Sequence, residues 1–377
     1  MKSRQGNHQS NVTIIGMLCL VLGVALSHTA QAAGNKPKPT PSTSLKVMDY
    51  NVQNFFDTVD SPDTDDAEFT PNGAQKWTDQ VLADKINNLS QVIRSANPDV
   101  IGLEEVENQD VINMLMANLK GAGYVFGYAG PSQDARGIRC AVLSKLPVLS
   151  TVSHQVWKDS WKKPDGSIQK TRDVLEVNID VSSRTNGVKT AVTLLVNHWP
   201  SRAGGPERDH MRVEVAEQEA TIIQNILNAN PNRLIISVGD FNDELSNNSF
   251  KTGINMVRSL TELNAAPIGS AYALDSELES LPDAQKGTFW FARDKVWNTL
   301  DHILVAKGAD LLAGKASGFD YRPNSIQVLH PTQFLDNQGH PAGCELRDAG
   351  RDGDATRCLK GVSDHLPLMA IFDYTAR

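Results

Sequence analysis

Asp240 and Asn242, in the stretch LIISVGDFND (234–243), set a hard carboxylate two positions from a neutral amide. In extended chain, residues two apart leave the same face, so the pair could hold a metal ion and orient a phosphate oxygen or a water. Gly, Asn and Asp also build β-turns, and this segment alone leaves both readings open. Other stretches end in similar clusters: Asn51 in DYN, Glu104 and Glu105 in PDVIGLEEVEN, His198 in VNHWPSR, and Asp364 with His365 in GVSDHLPLMAIF. Asp301 sits inside the apolar run TLDHILVA, where an unpaired carboxylate would be costly. It needs a partner, and a histidine is the natural one. Carboxylates, amides and two imidazoles together suit metal-assisted hydrolysis of a phosphate ester better than peptide or carboxylic ester cleavage.

Apolar segments must deliver these groups. Leu234, Ile235, Ile236 and Val238 read as a strand buried on both faces, and Gly239 frees the backbone where polar side chains begin. Earlier, 45–52 reads as a first strand. Thr78 caps a helix running to Ala96, with Val81, Leu82, Ile86, Leu89, Val92 and Ile93 on its apolar face and Pro98 as its stop. A strand over 99–103 delivers Glu104 and Glu105, and Asp110 opens a helix ending near Gly121 and Gly123. Further strands are expected over 139–143, 174–181, 189–197, 288–292, 299–305 and 366–374, with an amphipathic helix over 207–227. Direct strand-to-strand steps alternate with helical connections, which points to mixed sheets packed face to face with helices outside. The acidic segment 57–79 reads as a solvated surface excursion, with calcium binding as the sharper alternative.

The chain has 377 residues and a net charge of −8. Residues 1–32 read as a signal peptide: Lys2 and Arg4 precede an apolar run over 12–26, and Ala30-Gln31-Ala32 offers a small-x-small cleavage pattern near Ala33. The run is short for a membrane anchor. Cleavage would leave 33–44, rich in Pro, Lys, Ser and Thr, as a disordered lead-in, and 45–377 as one large α/β catalytic domain. It also removes Lys2 and Arg4 but no acidic residue, moving the charge from −8 to −10. That excludes a basic nucleic-acid-coating protein while leaving room for a local patch. The expected product is a monomer, secreted or periplasmic, without stable membrane association. In an oxidising compartment Cys344 and Cys358, flanking a polar loop, are expected to form a disulfide. Cys140 reads as a buried small hydrophobe.

In order along the chain, DYNVQNFFD (49–57), PDVIGLEEVEN (98–108), VNHWPSRAGG (196–205), VGDFND (238–243), LDHILV (300–305) and SDHLPL (363–368) resemble the endonuclease/exonuclease/phosphatase superfamily. The NHWPSR form resembles its secreted bacterial nucleases. The resemblance implies a four-layer sandwich of two mixed β-sheets flanked by helices, with the site at one edge. By the same likeness, Glu105 is the metal-binding glutamate, and Glu104 stands where the pattern has Gln. Asn51 helps to frame metal and phosphate, with Gln53 where some members carry a second carboxylate. Asp240 and Asn242 match the paired Asp-x-Asn, Asp364 and His365 the terminal Asp-His, and His198 the extra histidine of the deoxyribonuclease and sphingomyelinase branches.

The mechanism this implies is in-line attack of water on phosphorus. His365, held by Asp301, takes a proton from water while His198 donates one to the leaving oxygen. A divalent cation on Glu105, Asn51, Asp240 and Asp364, with Mg2+ ahead of Mn2+ or Ca2+, neutralises the nonbridging oxygens. Asn242 and Asn51 orient the phosphate. In some relatives the counterpart of Asp240 is the base, and that alternative stays open. Arg202, Arg208 and Arg212 read either as phosphate contacts or as solvated charges. Trp199, Trp290 and Trp297 read as packing residues before stacking platforms. DNA or RNA is the expected substrate. A phospholipid or small phosphoester is the alternative on the same site, and a non-catalytic binding protein is the alternative of another class.

Overall fold

The computed structural model describes residues 43–185, 187–351 and 354–377. The expected signal peptide and the lead-in up to residue 42 lie outside the described residues. In chain order, β1 (Ser44–Phe55), α1 (Asp79–Ala96), β2 (Val100–Val106), α2 (Gln109–Asn118), β3 (Phe126–Ala129) and β4 (Arg139–Ser144) begin a first sheet. A second sheet follows with β5 (Val148–His154), β6 (Val174–Asp180), β7 (Ala191–His198), α3 (Asp209–Ala229) and β8 (Leu234–Asp240). After α4 (Leu260–Ala265), β9 (Tyr272–Ala273) and α5 (Asp283–Lys286) come a hairpin of β10 (Phe289–Phe291) and β11 (Val296–Asn298), then β12 (Asp301–Lys307) and α6 (Ala309–Leu312). The chain returns to the first sheet through β13 (Gly318–Tyr321), β14 (Gln327–Val328) and β15 (Leu368–Thr375).

The first sheet runs β13-β15-β1-β2-β4-β3 with β14 also on β15, and the second runs β5-β6-β7-β8-β12-β9. Both are mixed, since β1 and β2, and β7 and β8, are parallel while their other neighbours are antiparallel. Alternation along β1 explains the layering. Leu45 and Val47 face the space between the sheets, where they join Val100, Val196, Ile236, Val238 and Ile303. Met48, Tyr50 and Val52 face the other way, against Leu82, Ile86 and Leu89 of α1 and Ile112 and Leu115 of α2. On the far side, Val215, Ile223 and Leu227 of α3 cover Leu195, Ile235 and Leu304. Helices, sheet, sheet and helix make the expected four layers. Gly102 lets the two sheets close together, because a Cβ there would meet Val238 Cγ2 at 2.5 Å.

Helix α1 starts and stops where its sequence dictates. The Thr78 side chain accepts from the Val81 amide, and Asn97, in the left-handed region at φ 51°, ends the helix before Pro98. Segment 57–79 is not merely solvated: Phe69 stacks on Phe56 with centroids 4.2 Å apart, and both pack with buried Trp77 beside the Cys344–Cys358 disulfide. Aromatic burial outweighs the acidic composition. Edge strand β5 escaped the sequence reading because Leu149 and Val152 are exposed, which blurs its alternation. Cys140 is buried and free. Among the described residues no helix is long and apolar enough to cross a membrane.

Candidate active site

Three neighbouring strand ends put the second sheet's contribution in one row. In register, His198 of β7 stands opposite Asp240 of β8, and Asp240 opposite Asp301 of β12. Gly239 makes the row possible: at φ 147° its missing Cβ would lie 2.1 Å from the Asn197 carbonyl oxygen. The Asp240 carboxylate accepts from the Asn242 amide at 2.8 Å and from Asn51 Nδ2, across the sheets, at 3.0 Å. Asn242 turns through φ 53°, and its side chain donates to the Trp199 carbonyl at 3.1 Å. His198 Nε2 stands 3.6 Å from Asp240 and 3.9 Å from Glu105.

The first sheet brings its groups by irregularity. Regular pleating would send Glu104 and Glu105 to opposite faces, but the ladder slips between Leu103 and Val106 and Glu105 takes φ 59°. That bulge aims Glu105 at the site. A second slip between Asn51 and Phe55 puts Gln53 and Asn54 at φ 48° and 46°, and the Asn54 amide donates to Glu105 Oε2 at 2.8 Å. His365 arrives on the loop before β15, its backbone N–H held by Ser363 Oγ at 3.0 Å while that hydroxyl donates to the Asn51 carbonyl at 2.7 Å. Its Nδ1 pairs with both Asp301 oxygens, at 2.8 and 3.1 Å. That leaves Nε2 facing the site, 3.9 Å from Asp240 and 4.0 Å from Asp364.

Their surroundings shift the two imidazoles in opposite directions. Burial, then the charges of Arg172, Arg136 and His365, hold His198 well below the usual histidine range. Burial opposes protonation of His365 too, but Asp301, Asp240 and Asp364 override it and hold that ring well above the range. Burial is also the main reason Asp240 is pushed up to about 6 and Asp364 to about 7. Asp49 and Glu104 lie fully buried and share a carboxyl–carboxyl hydrogen bond, which requires a proton on one of them. Burial, then the charge of Asp49, pushes Glu104 well up. A protonated glutamate has the shape and donor capacity of the glutamine that the family pattern has there.

Glu105, Asp240 and Asp364 have the hard oxygen donors that suit a divalent cation. Oε1 of Glu105 lies 3.9 Å from His198 Nε2, and Oδ1 of Asp364 lies 4.0 Å from His365 Nε2. Among the described residues no three His, Cys, Asp or Glu close into a ligand cage. A divalent cation held by these carboxylates would take water or substrate oxygens as its remaining ligands. Asn51 lies beside these carboxylates, donating to Asp240 and accepting from the Gln53 amide at 2.9 Å.

Arg202 binds the Asn242 carbonyl at 2.8 Å and Asn247 at 2.9 Å, which buttresses the Asp-x-Asn turn. Arg212 is buried in a 2.8 Å ion pair with Asp243, so it is not a solvated charge. Trp199 packs on Phe241 and Phe250, and Trp290 stacks on His340 at 3.9 Å. Sequence reading missed Asn54 with its loop partner Glu345, Asp348 as the partner of Gln53, and also Arg136 and Arg172. Asp49 did leave a signal, two residues before Asn51 on the same strand face.

Residues 46–373 match the family model described as Endonuclease/Exonuclease/phosphatase family. The chain belongs to this endonuclease/exonuclease/phosphatase family. Its members hydrolyse phosphoester bonds, generally with divalent metal ions, and this protein is a phosphoester hydrolase. Solved structures share the fold at low identity. A humanised D. rerio TDP2 is 15% identical, with TM-score 0.52, covering 88% of this chain and 100% of its own. The human Nocturnin catalytic domain with bound sulfate is 16% identical, with TM-score 0.52 and coverages of 89% and 96%. A mannosyl-6-phosphatase from Bacteroides thetaiotaomicron is 14% identical, with TM-score 0.52 and coverages of 87% and 99%. No curated protein matches the sequence.

Proposed function

We propose that this member of the family is an exported, Mg2+-dependent endonuclease that cleaves DNA or RNA by in-line attack of water on phosphorus. The observation that carries the reading is the pair of imidazoles flanking Asp240, with His198 Nε2 at 3.6 Å and His365 Nε2 at 3.9 Å. A phosphoryl group seated between them meets one ring that can accept a proton and one that can donate. His365, paired with Asp301, takes the proton of the attacking water, and His198 gives one to the leaving oxygen. Asp301 fixes the His365 tautomer and favours its charged form. Asn242 and Asn51 orient the phosphate. Glu105, Asp240 and Asp364 would hold the cation, which when bound neutralises charge on the nonbridging oxygens. The Cys344–Cys358 disulfide supports export to an oxidising compartment.

The test incubates the protein with linear DNA, RNA, sphingomyelin vesicles and an aryl phosphodiester, with and without chelator. Nucleic-acid cleavage is expected, lost on chelation, and reduced on the order of 100-fold or more in His198→Ala and in His365→Ala. Cleavage of the lipid alone, or of none of these substrates, would overturn the reading.

A further inference from the structure

A cavity of about 330 Å³, which Pro200 and Ser201 of the segment after β7 help to line, is also lined by Arg136, Lys170, Arg172 and Arg208, against the single carboxylate of Asp134. This concentration of positive charge stands out in a chain of net charge −8. Two of its arginines reach residues that hold the catalytic groups. Arg172 Nη2 donates to the Trp199 carbonyl at 2.6 Å, one residue from His198, and the same carbonyl receives Asn242 Nδ2 at 3.1 Å. Arg136 Nη1 donates to Asn54 Oδ1 at 3.2 Å, and the Asn54 amide holds Glu105.

The site is built rather than incidental. Arg172 is 6% exposed, is fixed by Asp134 Oδ2 at 3.2 Å, and keeps its buried Nε–H without a partner. A buried guanidinium donor without an acceptor is costly, and an anion can supply the acceptor. Lys170 reaches the rim from above the Trp157 ring, 5.1 Å away, held by Gln133 at 3.0 Å. Trp161, Pro200 and Met211 give the cavity an apolar wall. Cations on one side, an apolar wall on the other, and a volume at the small end of ligand sites describe a place for one nucleotide unit.

We infer that this cavity is a subsite for the nucleotide next to the scissile linkage, its phosphate held by Lys170, Arg172 and Arg208. The inference rests on the nuclease reading and names what that reading leaves open: the preferred substrate carries a second phosphate beside the one attacked. The cavity then contributes to affinity for polymeric substrates and adds little for an isolated phosphodiester.

The experiment compares three substrates with Mg2+: a 5′-phosphorylated trinucleotide, a dinucleoside monophosphate and bis(4-nitrophenyl) phosphate. The wild type should favour the trinucleotide in kcat/KM. The double variant Lys170→Gln, Arg208→Gln should lose that preference through KM, on the order of tenfold or more, with Arg208→Lys restoring part of it. A second measurement avoids catalysis altogether. Fluorescence anisotropy of the labelled trinucleotide in EDTA should show binding that weakens in the double variant and with added salt. Equal losses on all three substrates, unchanged anisotropy in a folded double variant, or a wild type without trinucleotide preference overturns the subsite. Turnover of the aryl diester with no nucleic-acid cleavage instead overturns the nuclease reading itself.

Discussion

A methyl group at Gly239 would land on the backbone of β7. The residue holds φ 147°, and its Cβ position lies 2.1 Å from the Asn197 carbonyl. Gly239→Ala is therefore expected to cost about 2–4 kcal/mol, measured from the urea midpoint, and to lower activity by moving His198. A change within about 0.5 kcal/mol would show that the strands do not meet this closely. Glu219, buried behind Asn197, makes a second prediction at this scale. It accepts from Ser237 Oγ and from Asn197 Nδ2, and burial pushes its carboxyl from 4.5 up to about 7. Because the folded state holds this proton more tightly, stability from Glu219 is fully present below about 4.5 and is lost as pH rises to about 7. The loss is about 3 kcal/mol at most. Urea titrations of wild type and Glu219→Gln at pH 5 and pH 8 should show the variant lacking this part of the dependence; parallel curves would refute it. The sequence showed Gly239 and the row beyond it clearly. It could not show that Glu104 and Glu105, adjacent in an apolar run, part into a buried carboxyl and a site carboxylate, because a bulge decides that.

At the scale of elements, the loop closed by Cys344 and Cys358 bears on Glu105, the carboxylate proposed to hold the cation. Glu345 Oε1 accepts from Asn54 Nδ2 at 2.6 Å, and Asp348 Oδ2 accepts from Gln53 Nε2 at 3.2 Å. These contacts hold two non-glycine residues with positive φ, a conformation that persists only where neighbours enforce it. The Asn54 amide then fixes Glu105. Disulfide removal in Cys344→Ser, Cys358→Ser is expected to weaken Mg2+ affinity on the order of tenfold, with Glu345→Gln giving a smaller effect in the same direction. Isothermal titration with Mg2+ reads this directly, and an unchanged affinity in the folded double variant would detach the loop from the site. The disulfide was legible from two cysteines around a polar loop. Its hold on Asn54 was not, since the partners are roughly 290 residues apart and no local pattern marks a contact at that separation. Strands and helices with strong periodicity were read within a few residues, whereas half-exposed β5 and the two-residue β9 and β14 carry too little pattern.

The whole molecule divides its site between two sheets. Asn51, Glu105 and His365 come with the first, and His198, Asp240 and Asp301 with the second. A cation on Glu105 and Asp240 would tie the layers together, so binding should stabilise the fold in addition to serving the reaction. At 100 times its dissociation constant, Mg2+ is expected to add about 2.7 kcal/mol. Thermal unfolding should show Tm rising with Mg2+ in the wild type and much less in Asp240→Asn; a Tm insensitive to Mg2+ would place the ion elsewhere. Sequence by itself determined the strands, their buried faces and the polar residues at their ends, because apolar periodicity and the cost of burying charge are local. It also determined family membership, through motifs in a fixed order. Tertiary structure alone decided the distances between those ends, the bulges that turn Glu105 inward and the opposite directions in which the two imidazoles are shifted. It also decided the cationic cavity around Arg172. Those properties arise from groups far apart in the chain, whose fields and contacts exist only once the two sheets have closed on each other.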